Sequence, residues 1–353
     1  MSRMRIGMPL SYSVGVRETA AVIGEYEAAG VDVVFVGEAW SFDAVSQLGY
    51  LAARTTTMQL AAGILNVYSR TPALLAMTAA GLDAVSGGRF ILGLGASGPQ
   101  VIEGFHGVPY TAPLARTREV VEVCRTVWRR EPLVHDGPHV QVPLSRERGG
   151  SGLGKPLTLI NRPVRDRIPL MLAALGPKNV ALAAELFEAW EPIFYFPERA
   201  ADAFGAPLAE GAGRRDPALG PLDVVADTHV LVTEDADEEE RALRRVRQHL
   251  ALYVGGMGAR GRNFYNDLAV RYGFPDAARE VQDHYLGGRP LQAAAALPEE
   301  LVRGVSLIGP RGFVAERVAA FAEGGATTLN AAPLGEDHAT RLASVAALRE
   351  LAP

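Results

Sequence analysis

The chain has 353 residues, of which 48% are hydrophobic and 21% charged, a composition that is ordinary for a soluble globular enzyme. Its formal net charge of -5 gives no reason to expect a nucleic acid or an anionic membrane as a partner. The single cysteine, Cys124, excludes disulfides within the chain, and its helical surroundings predict a core position. The sequence shows no apolar leader and no membrane-length apolar run, which predicts a cytoplasmic protein.

The first part of the chain alternates short apolar strands with helical patterns. Strands are predicted at residues 5–8, 33–36, 58–62 and 90–94, and helices at 18–29, 42–54, 71–85 and 114–128. The run at 33–36 is an uninterrupted Val-Val-Phe-Val, which is typical of a parallel strand buried on both faces. Strict alternation of strand and helix predicts a parallel α/β sheet with right-handed crossovers.

The alternation continues to the C terminus, with three interruptions that we interpret as insertions. They are an irregular excursion at about 132–167, a segment at about 197–221 that is polar and rich in Gly and Pro from 205 onward, and an aromatic-rich helical stretch at about 252–300. Further strands are predicted at 168–174, 223–232 and 327–332, with a strand and its loop at 190–196 and a short extended piece at 305–308. Helices are predicted at 178–187, 312–322 and 338–351. A count of about eight strands predicts a TIM (β/α)8 barrel in one domain over 1–353.

A glycine-rich loop follows the fourth predicted strand. Residues 93–98 read G-x-G-x-x-G, which is also the dinucleotide-binding fingerprint. That fingerprint requires the first strand of a βαβ unit and a helix that opens directly in the glycines. Here several strand–helix units come first, and Pro99, Gly104 and Gly107 prevent a long helix. We therefore interpret the stretch as a strand-end loop of the barrel.

In a TIM barrel the active site lies at the C-terminal ends of the strands, and this rule selects the candidate residues. Glu38 follows the second strand and is a general acid, a hydrogen-bond partner of a ring, or an ion-paired strand-end carboxylate. His106 and His229 lie near strand ends and are either catalytic or structural. The acidic run 234–240 is predicted to start a helix, where negative charge is favourable, and no metal site is predicted.

The turn after the fifth strand reads Gly-Pro-Lys-Asn at 176–179 and opens a helix. Free N–H groups and the Lys178 ammonium gather at this helix N terminus, which predicts an anion site. The alternative is an ordinary βα turn in which Lys178 is solvated. The sequence contains no Ser/His/Asp, H-E-x-x-H or C-x-x-C arrangement, so we expect an organic cofactor to supply the chemistry.

Five stretches resemble the bacterial luciferase-like superfamily of flavin and deazaflavin oxidoreductases, in the branch that uses coenzyme F420. They are GEAWSFDA (37–44), GILNVYSRTPA (63–73), LGLGASGPQVIEGFHG (92–107), AALGPKNVALAAE (173–185) and YVGGMGARGRNFYN (253–266). The resemblance implies a TIM-like barrel that holds the deazaflavin at its strand ends, with a cis Gly63–Ile64 bond forming a bulge behind the ring. It also implies a homodimer or homotetramer, which fits the apolar helices 42–54 and 71–85.

The same resemblance assigns site residues. Glu38 and His106 are expected to be catalytic. The expected cofactor-binding residues are Gly63, Ile64, Asn66, Gly95, Ala96, Ser97, Gly98, Gln100, Leu175, Gly176, Pro177, Lys178 and Asn179. The implied reaction is hydride transfer between coenzyme F420 and a small organic substrate without a metal. Reduction of a C=C or C=N bond is expected, as in methylenetetrahydromethanopterin reductase.

The sequence departs from the family pattern at positions that bear on the substrate. Ala39 stands where the deazaflavin sugar-phosphate dehydrogenases carry a histidine, and the first strand ends without the carboxylate of the methanopterin reductases. The stretches Asn161–Arg162, Ala189–Glu191 and Asn330–Ala331 also look unusual, and some of them are candidates for the substrate pocket. Two alternatives stay open: an FMN-dependent monooxygenase that needs oxygen and a partner flavin reductase, and a barrel that has lost catalysis.

Overall fold

The computed structural model describes residues 3–12 and 15–353. The strands in chain order are β1 (Arg5–Pro9), β2 (Val33–Val36), β3 (Gln59–Ala62), β4 (Leu65–Asn66), β5 (Phe90–Gly95), β6 (His135–Asp136), β7 (Gln141–Val142), β8 (Leu170–Ala173), β9 (Ala189–Glu191), β10 (Asp223–Val232), β11 (Leu307–Gly309) and β12 (Thr328–Pro333). Parallel pairing runs in the order β12, β1, β2, β3, β5, β8, β9 and β10. Pairs β9–β10 and β10–β12 close this ring, so the prediction of a TIM barrel is confirmed.

Helices surround the barrel. They are α1 (Val16–Ala28), α2 (Ala44–Ala52), α3 (Pro72–Ser86), α4 (Pro99–Ile102), α5 (Pro113–Trp128), α6 (Pro177–Leu186), α7 (Pro197–Ala212), α8 (Ala236–Ala251), α9 (Phe264–Arg271), α10 (Pro275–Leu286), α11 (Pro290–Ala295), α12 (Glu299–Gly304), α13 (Arg311–Glu323) and α14 (His338–Leu351). Capping side chains fix several starts: Thr71 accepts from Leu74 N–H, and Asp235 caps α8. No helix within the described residues is long and apolar enough to cross a membrane.

Two of the segments predicted as insertions lie between elements of the barrel. The excursion at 132–167 contains the β6–β7 hairpin and a short 3-10 turn. The stretch at 252–300 is helical, and it begins with a π-helical turn at Leu252–Gly256. Cys124 is buried in α5, and burial raises the pKa of its thiol to about 12, as expected for a core cysteine.

The segment at 197–221 differs from the prediction of a Gly- and Pro-rich insertion. Most of it is α7, the helix that follows β9 in the regular βα order. Pro207 lies inside this helix and lacks the N–H that would bond the Ala203 carbonyl oxygen. Nη1 of Arg271 donates to that oxygen instead, at 2.9 Å. The helix tolerates its proline because a residue distant in sequence satisfies the freed carbonyl.

Within the segment 190–196, predicted as a strand and its loop, the strand is short. It ends at Glu191, because Pro192 cannot donate to a ladder and Phe194 has a positive φ of 56°. The chain therefore leaves the sheet early, which brings the aromatic residues 194–196 to the rim of the barrel. All three are buried there.

Candidate active site

One side of the C-terminal barrel mouth is lined by small residues. The Gly63–Ile64 peptide bond after β3 is cis, as the resemblance implies. The Ile64 side chain packs over Gly95, where a Cβ would lie 2.9 Å from its Cδ1 atom. A Cβ on Gly93 would lie 1.8 Å from the Ala62 carbonyl oxygen, so β3 and β5 approach at a distance that only glycine permits. This part of the mouth, which we call the glycine wall, comprises residues 63, 64, 93 and 95.

The loops after β5 and β8 continue the glycine wall with two helix N termini. Gly98 precedes α4 and Gly176 precedes α6, and within the described chain neither start is capped by a side chain. Lys178 is exposed in the first turn of α6 and Asn179 is partly exposed beside it. The ring of Phe264 stands 3.9 Å from where a Gly176 Cβ would lie. Uncapped N–H groups beside an ammonium can bind a phosphate.

The loop after β5 folds back on itself at residues 97–100. Ser97 adopts a positive φ of 55°, and its carbonyl oxygen accepts a hydrogen bond from the Tyr110 hydroxyl at 3.2 Å. Oε1 of Gln100 turns back to within 3.4 Å of where a Gly98 Cβ would lie. Ala96 is partly exposed between them and the strand. The predicted residues 95–100 therefore lie together at the mouth.

The loop after β8 is fixed from outside the barrel. Leu175 is buried, and its carbonyl oxygen accepts from Nη2 of Arg271 at 2.8 Å. The exposed Pro177 takes the first position of α6, where its missing N–H costs no hydrogen bond. Arg271 thus ties α7 and the loop after β8 together, and its pKa is lowered by burial.

Glu38 is held in an ion pair. Arg70 donates to both of its oxygens, Nη1 to Oε1 at 2.5 Å and Nη2 to Oε2 at 2.8 Å. The Ala44 N–H at the start of α2 donates to Oε2 at 2.9 Å. The bond to Glu38 is the main cause that raises the pKa of Arg70. This geometry matches the strand-end ion pair among the alternatives above, and a catalytic role for Glu38 stays a prediction.

Asn66 and His106 lie together behind the bulge. Asn66 is buried, and its Oδ1 accepts from the N–H groups of Tyr68 and Ser69 at 3.0 and 2.7 Å. Its Nδ2 is 3.5 Å from Nε2 of the partly exposed His106. Asn66 therefore shapes the turn after β4 and orients the histidine. The catalytic role of His106 stays a prediction.

The opposite side of the mouth carries a polar cluster of Glu191, Asp227 and Asn330. We call the two carboxyl groups, Glu191 and Asp227, the acid pair. Nδ2 of Asn330 donates to Oε1 of Glu191 at 3.2 Å and to Oδ1 of Asp227 at 2.5 Å. Glu191 and Asn330 were sequence candidates for the substrate pocket, and Asp227 was missed. The third candidate stretch, Asn161–Arg162, is exposed in the excursion at 132–167 and is not part of this cluster. The signal for Asp227 was present: an acid two residues after the inward-facing Val225 must also face the barrel interior.

An aromatic cluster covers the rim beside the acid pair. Tyr253 contacts Phe194, His249 and Tyr265 edge to face, with ring centroids 5.4, 4.9 and 4.7 Å apart. His229 lies 5.1 Å from His249, centroid to centroid. Burial lowers the pKa of His229 to about 3 and that of His249 to about 4. Both rings are therefore neutral at pH 7 and act as part of an apolar wall.

Two relatives match nearly the whole chain. A Mycobacterium tuberculosis protein provisionally named as a coenzyme F420-dependent oxidoreductase is 40% identical over 331 residues, covering 92% of this chain and 94% of that protein. The 5,10-methylenetetrahydromethanopterin reductase of Archaeoglobus fulgidus is 29% identical over 324 residues, covering 88% of each chain.

A solved structure and a family model agree with these matches. The coenzyme F420-dependent tetrahydromethanopterin reductase of Methanopyrus kandleri has the same fold, with a TM-score of 0.80 at 20% identity over 99% of this chain and 98% of that one. The model of the family described as luciferase-like monooxygenase matches residues 1–328. The chain belongs to the luciferase-like monooxygenase family.

Proposed function

We propose that this chain is an oxidoreductase that uses coenzyme F420 to reduce the C=C or C=N bond of a small organic substrate. The observation that carries the proposal is the glycine wall with the uncapped start of α6 beside it, at the ligand-binding end of the barrel. Similarity to relatives named for coenzyme F420 and for methylenetetrahydromethanopterin supports this choice of cofactor and reaction.

The residues present fit a planar, phosphate-bearing cofactor. The surface of the glycine wall consists of backbone atoms and the Ile64 side chain, so a flat ring can approach it closely. The N–H group and the ammonium of Lys178 are the right donors for the phosphate of the tail, since Pro177 has no N–H and the two N–H groups after Lys178 bond the Gly176 carbonyl oxygen. Residues 63–66, 95–100 and 175–179 would hold the cofactor, which supplies a hydride when it is bound.

The rest of the mouth binds and orients the substrate. The buried aromatic rings of the rim exclude water from the space facing the glycine wall. The Tyr12 hydroxyl and the Gly63 carbonyl oxygen lie 2.3 and 3.1 Å from where a Gly37 Cβ would stand, so polar groups also reach this space. The ion pair of Glu38 and Arg70 fixes the start of α2, because Glu38 also accepts the hydrogen bond of the Ala44 N–H.

The first test is binding of the purified protein to coenzyme F420 and to FMN, followed by absorbance and fluorescence. We expect tight binding of F420 and weak binding of FMN. Reduced F420 is then offered a cyclic imine, 2-methyl-1-pyrroline, and an enone, 2-cyclohexen-1-one, and the return of oxidised cofactor is followed. Preference for FMN would favour an oxygen-dependent monooxygenase, and binding of neither would favour a barrel without catalysis.

A further inference from the structure

The acid pair is brought together by three neighbouring barrel strands. Asp227 of β10 and Asn330 of β12 are register partners, and β9, which ends at Glu191, pairs with β10 on its other side. The Asn330 amide nitrogen donates to one oxygen of each carboxylate. Both carboxylates are therefore within hydrogen-bonding reach of a single nitrogen. Because they lie so close together, the protonation of one carboxyl affects the protonation of the other.

The pair faces the reaction space. Ala189 and Val225 belong to the inward-facing apolar layer of the barrel, and side chains alternate along a strand. Glu191 and Asp227 follow them by two residues and so point inward, one layer closer to the mouth. The corresponding layer on the opposite strands contains Gly63 and Gly93, so the acid pair lies across the barrel from the glycine wall.

Nothing in the described chain neutralises the two carboxylates. No Arg, Lys or His there forms an ion pair with Glu191 or Asp227, whereas Glu38 nearby is matched by Arg70. Asn330 is only 3% exposed, and its Oδ1 accepts no hydrogen bond from any described group. This unpartnered oxygen also indicates a site that a ligand could fill. A buried acceptor beside two carboxylates requires an O–H or N–H donor.

We propose that Glu191 and Asp227 share one proton at neutral pH and that this pair donates it to the substrate during reduction. The proposal rests on the proposed function for its hydride donor, reduced F420. Two carboxylates this close in a buried site cannot both be ionised, so one stays protonated. Asn330 is the positioning residue, since its amide holds both carboxylates in place.

The step balances for an imine acceptor. Carbon receives the hydride with its two electrons, the C=N π pair moves to nitrogen, and nitrogen takes the proton from the carboxyl O–H. The pair is left with no proton and regains one from water through Asp227, which is partly exposed at the mouth. The product amine, with its new N–H, can donate to the free Asn330 oxygen.

The surroundings favour a protonated carboxyl near neutral pH. Burial, followed by the Asp227 charge, raises the pKa of Glu191, and burial raises the pKa of Asp227 to about 7. The nearby titratable groups are Tyr12 and Tyr253, whose pKa values are raised by burial and in part by the charges of Glu191 and Asp227, together with His229 and His249 of the cluster around Tyr253. None of them carries positive charge at pH 7, because a tyrosine is never cationic and burial lowers the pKa of both histidines. A pKa near the working pH suits a general acid.

The first experiment is an infrared pH titration of the whole protein without cofactor or substrate. We expect a protonated-carboxyl band at pH 6 that disappears with a midpoint near pH 7. Asp227→Asn and, separately, Glu191→Gln should each move this midpoint to lower pH, because the remaining carboxyl stays buried but no longer has a charged neighbour. Asp166→Asn, which removes an exposed carboxyl outside the site, is the control. A wild-type titration that Asp227→Asn leaves unchanged would overturn the shared proton.

The second experiment measures the pH dependence of oxidation of reduced F420 by the imine or enone. The wild-type rate should fall above the infrared midpoint, and Asp227→Asn should lower kcat by about 100-fold or more, with F420 affinity within twofold of wild type. An Asp227→Asn enzyme with wild-type rate and profile would overturn the donor role. Failure to bind F420 at all would instead overturn the proposed function, while the infrared titration still decides the shared proton.

Discussion

Asp227 and Asn330 are paired across two adjacent strands of the barrel, with the Asn330 amide nitrogen 2.5 Å from a carboxylate oxygen of Asp227. The same nitrogen reaches Glu191 at 3.2 Å. The contact joins the end of the barrel core to the mouth, so both the stability of the fold and the chemistry of the site depend on the protonation of this acid pair. Several measurements can separate the two effects.

The acid pair should make the protein less stable as pH rises. Burial raises the pKa of Asp227 to about 7 from 3.8, so between these values the folded state binds the proton that the unfolded state has lost. Stability is full at low pH and falls as pH rises toward 7, by at most about 4 kcal/mol at 1.36 kcal/mol per pKa unit. Asp227→Asn should flatten this slope in urea denaturation between pH 4.5 and 8. Parallel slopes for the two proteins would contradict the raised pKa.

Asn330→Ala tests the amide as a positioning residue. The hydrogen bond from Asn330 lowers the pKa of both carboxyls, so its removal should shift the apparent pKa of the pair upward. The infrared midpoint and the falling limb of the rate profile should move together to higher pH. A loss of activity without any shift in the profile would point to a general structural defect instead.

Lys178→Ala tests the anion site at the start of α6. Loss of a charge-assisted hydrogen bond should weaken F420 binding by roughly 10- to 100-fold, equal to about 1.5–3 kcal/mol. Affinity for the deazaflavin ring compound without its phosphate tail should stay unchanged, because Lys178 is expected at the tail. Lys155→Ala is the matched control, since it removes the only other lysine in the sequence. Equally weakened binding of both ligands would mean that Lys178 does not contact the phosphate.

The sequence predicted the barrel well because its signals are local. Apolar runs such as 33–36, the acidic helix start at 234–240 and the order of the elements follow from neighbouring residues. The glycine loops were also recognisable, and the cis bond at Gly63 was expected from the family resemblance. These features depend on backbone conformation, which a short motif can specify.

Features that depend on distant contacts were harder to predict. The α7 helix was missed because Arg271, more than sixty residues later, satisfies the carbonyl that Pro207 leaves free. Asp227 was missed because its place in the site depends on Glu191 and Asn330, which lie on other strands. The partner in the ion pair of Glu38 could not be foreseen because Arg70 lies 32 residues away in the sequence. In each case the deciding partner is far away in the sequence.

Breaking the Glu38–Arg70 pair should destabilise the start of α2. The side chains are 8% and 15% exposed, so Glu38→Gln leaves a largely buried guanidinium without its counter-charge. We expect a loss of about 2–4 kcal/mol in the free energy of unfolding, and a smaller loss when Arg70→Met is added. A double-mutant cycle by urea denaturation measures the coupling. Additive losses would mean that the pair contributes no specific stability.

Gly93→Ala tests the close approach of β3 and β5 that creates the glycine wall. The added Cβ would meet the Ala62 carbonyl oxygen at 1.8 Å, and a backbone atom in a central strand has little room to move. We expect a loss of about 2–4 kcal/mol in the free energy of unfolding, because overpacking must displace the strand. Gly49→Ala in α2 is the control, since a Cβ there meets nothing within 4 Å and should add about 0.5–1 kcal/mol of helix stability. If Gly93→Ala were as stable as wild type, β3 and β5 could separate freely, and the glycine wall would not be a fixed surface for a flat ring.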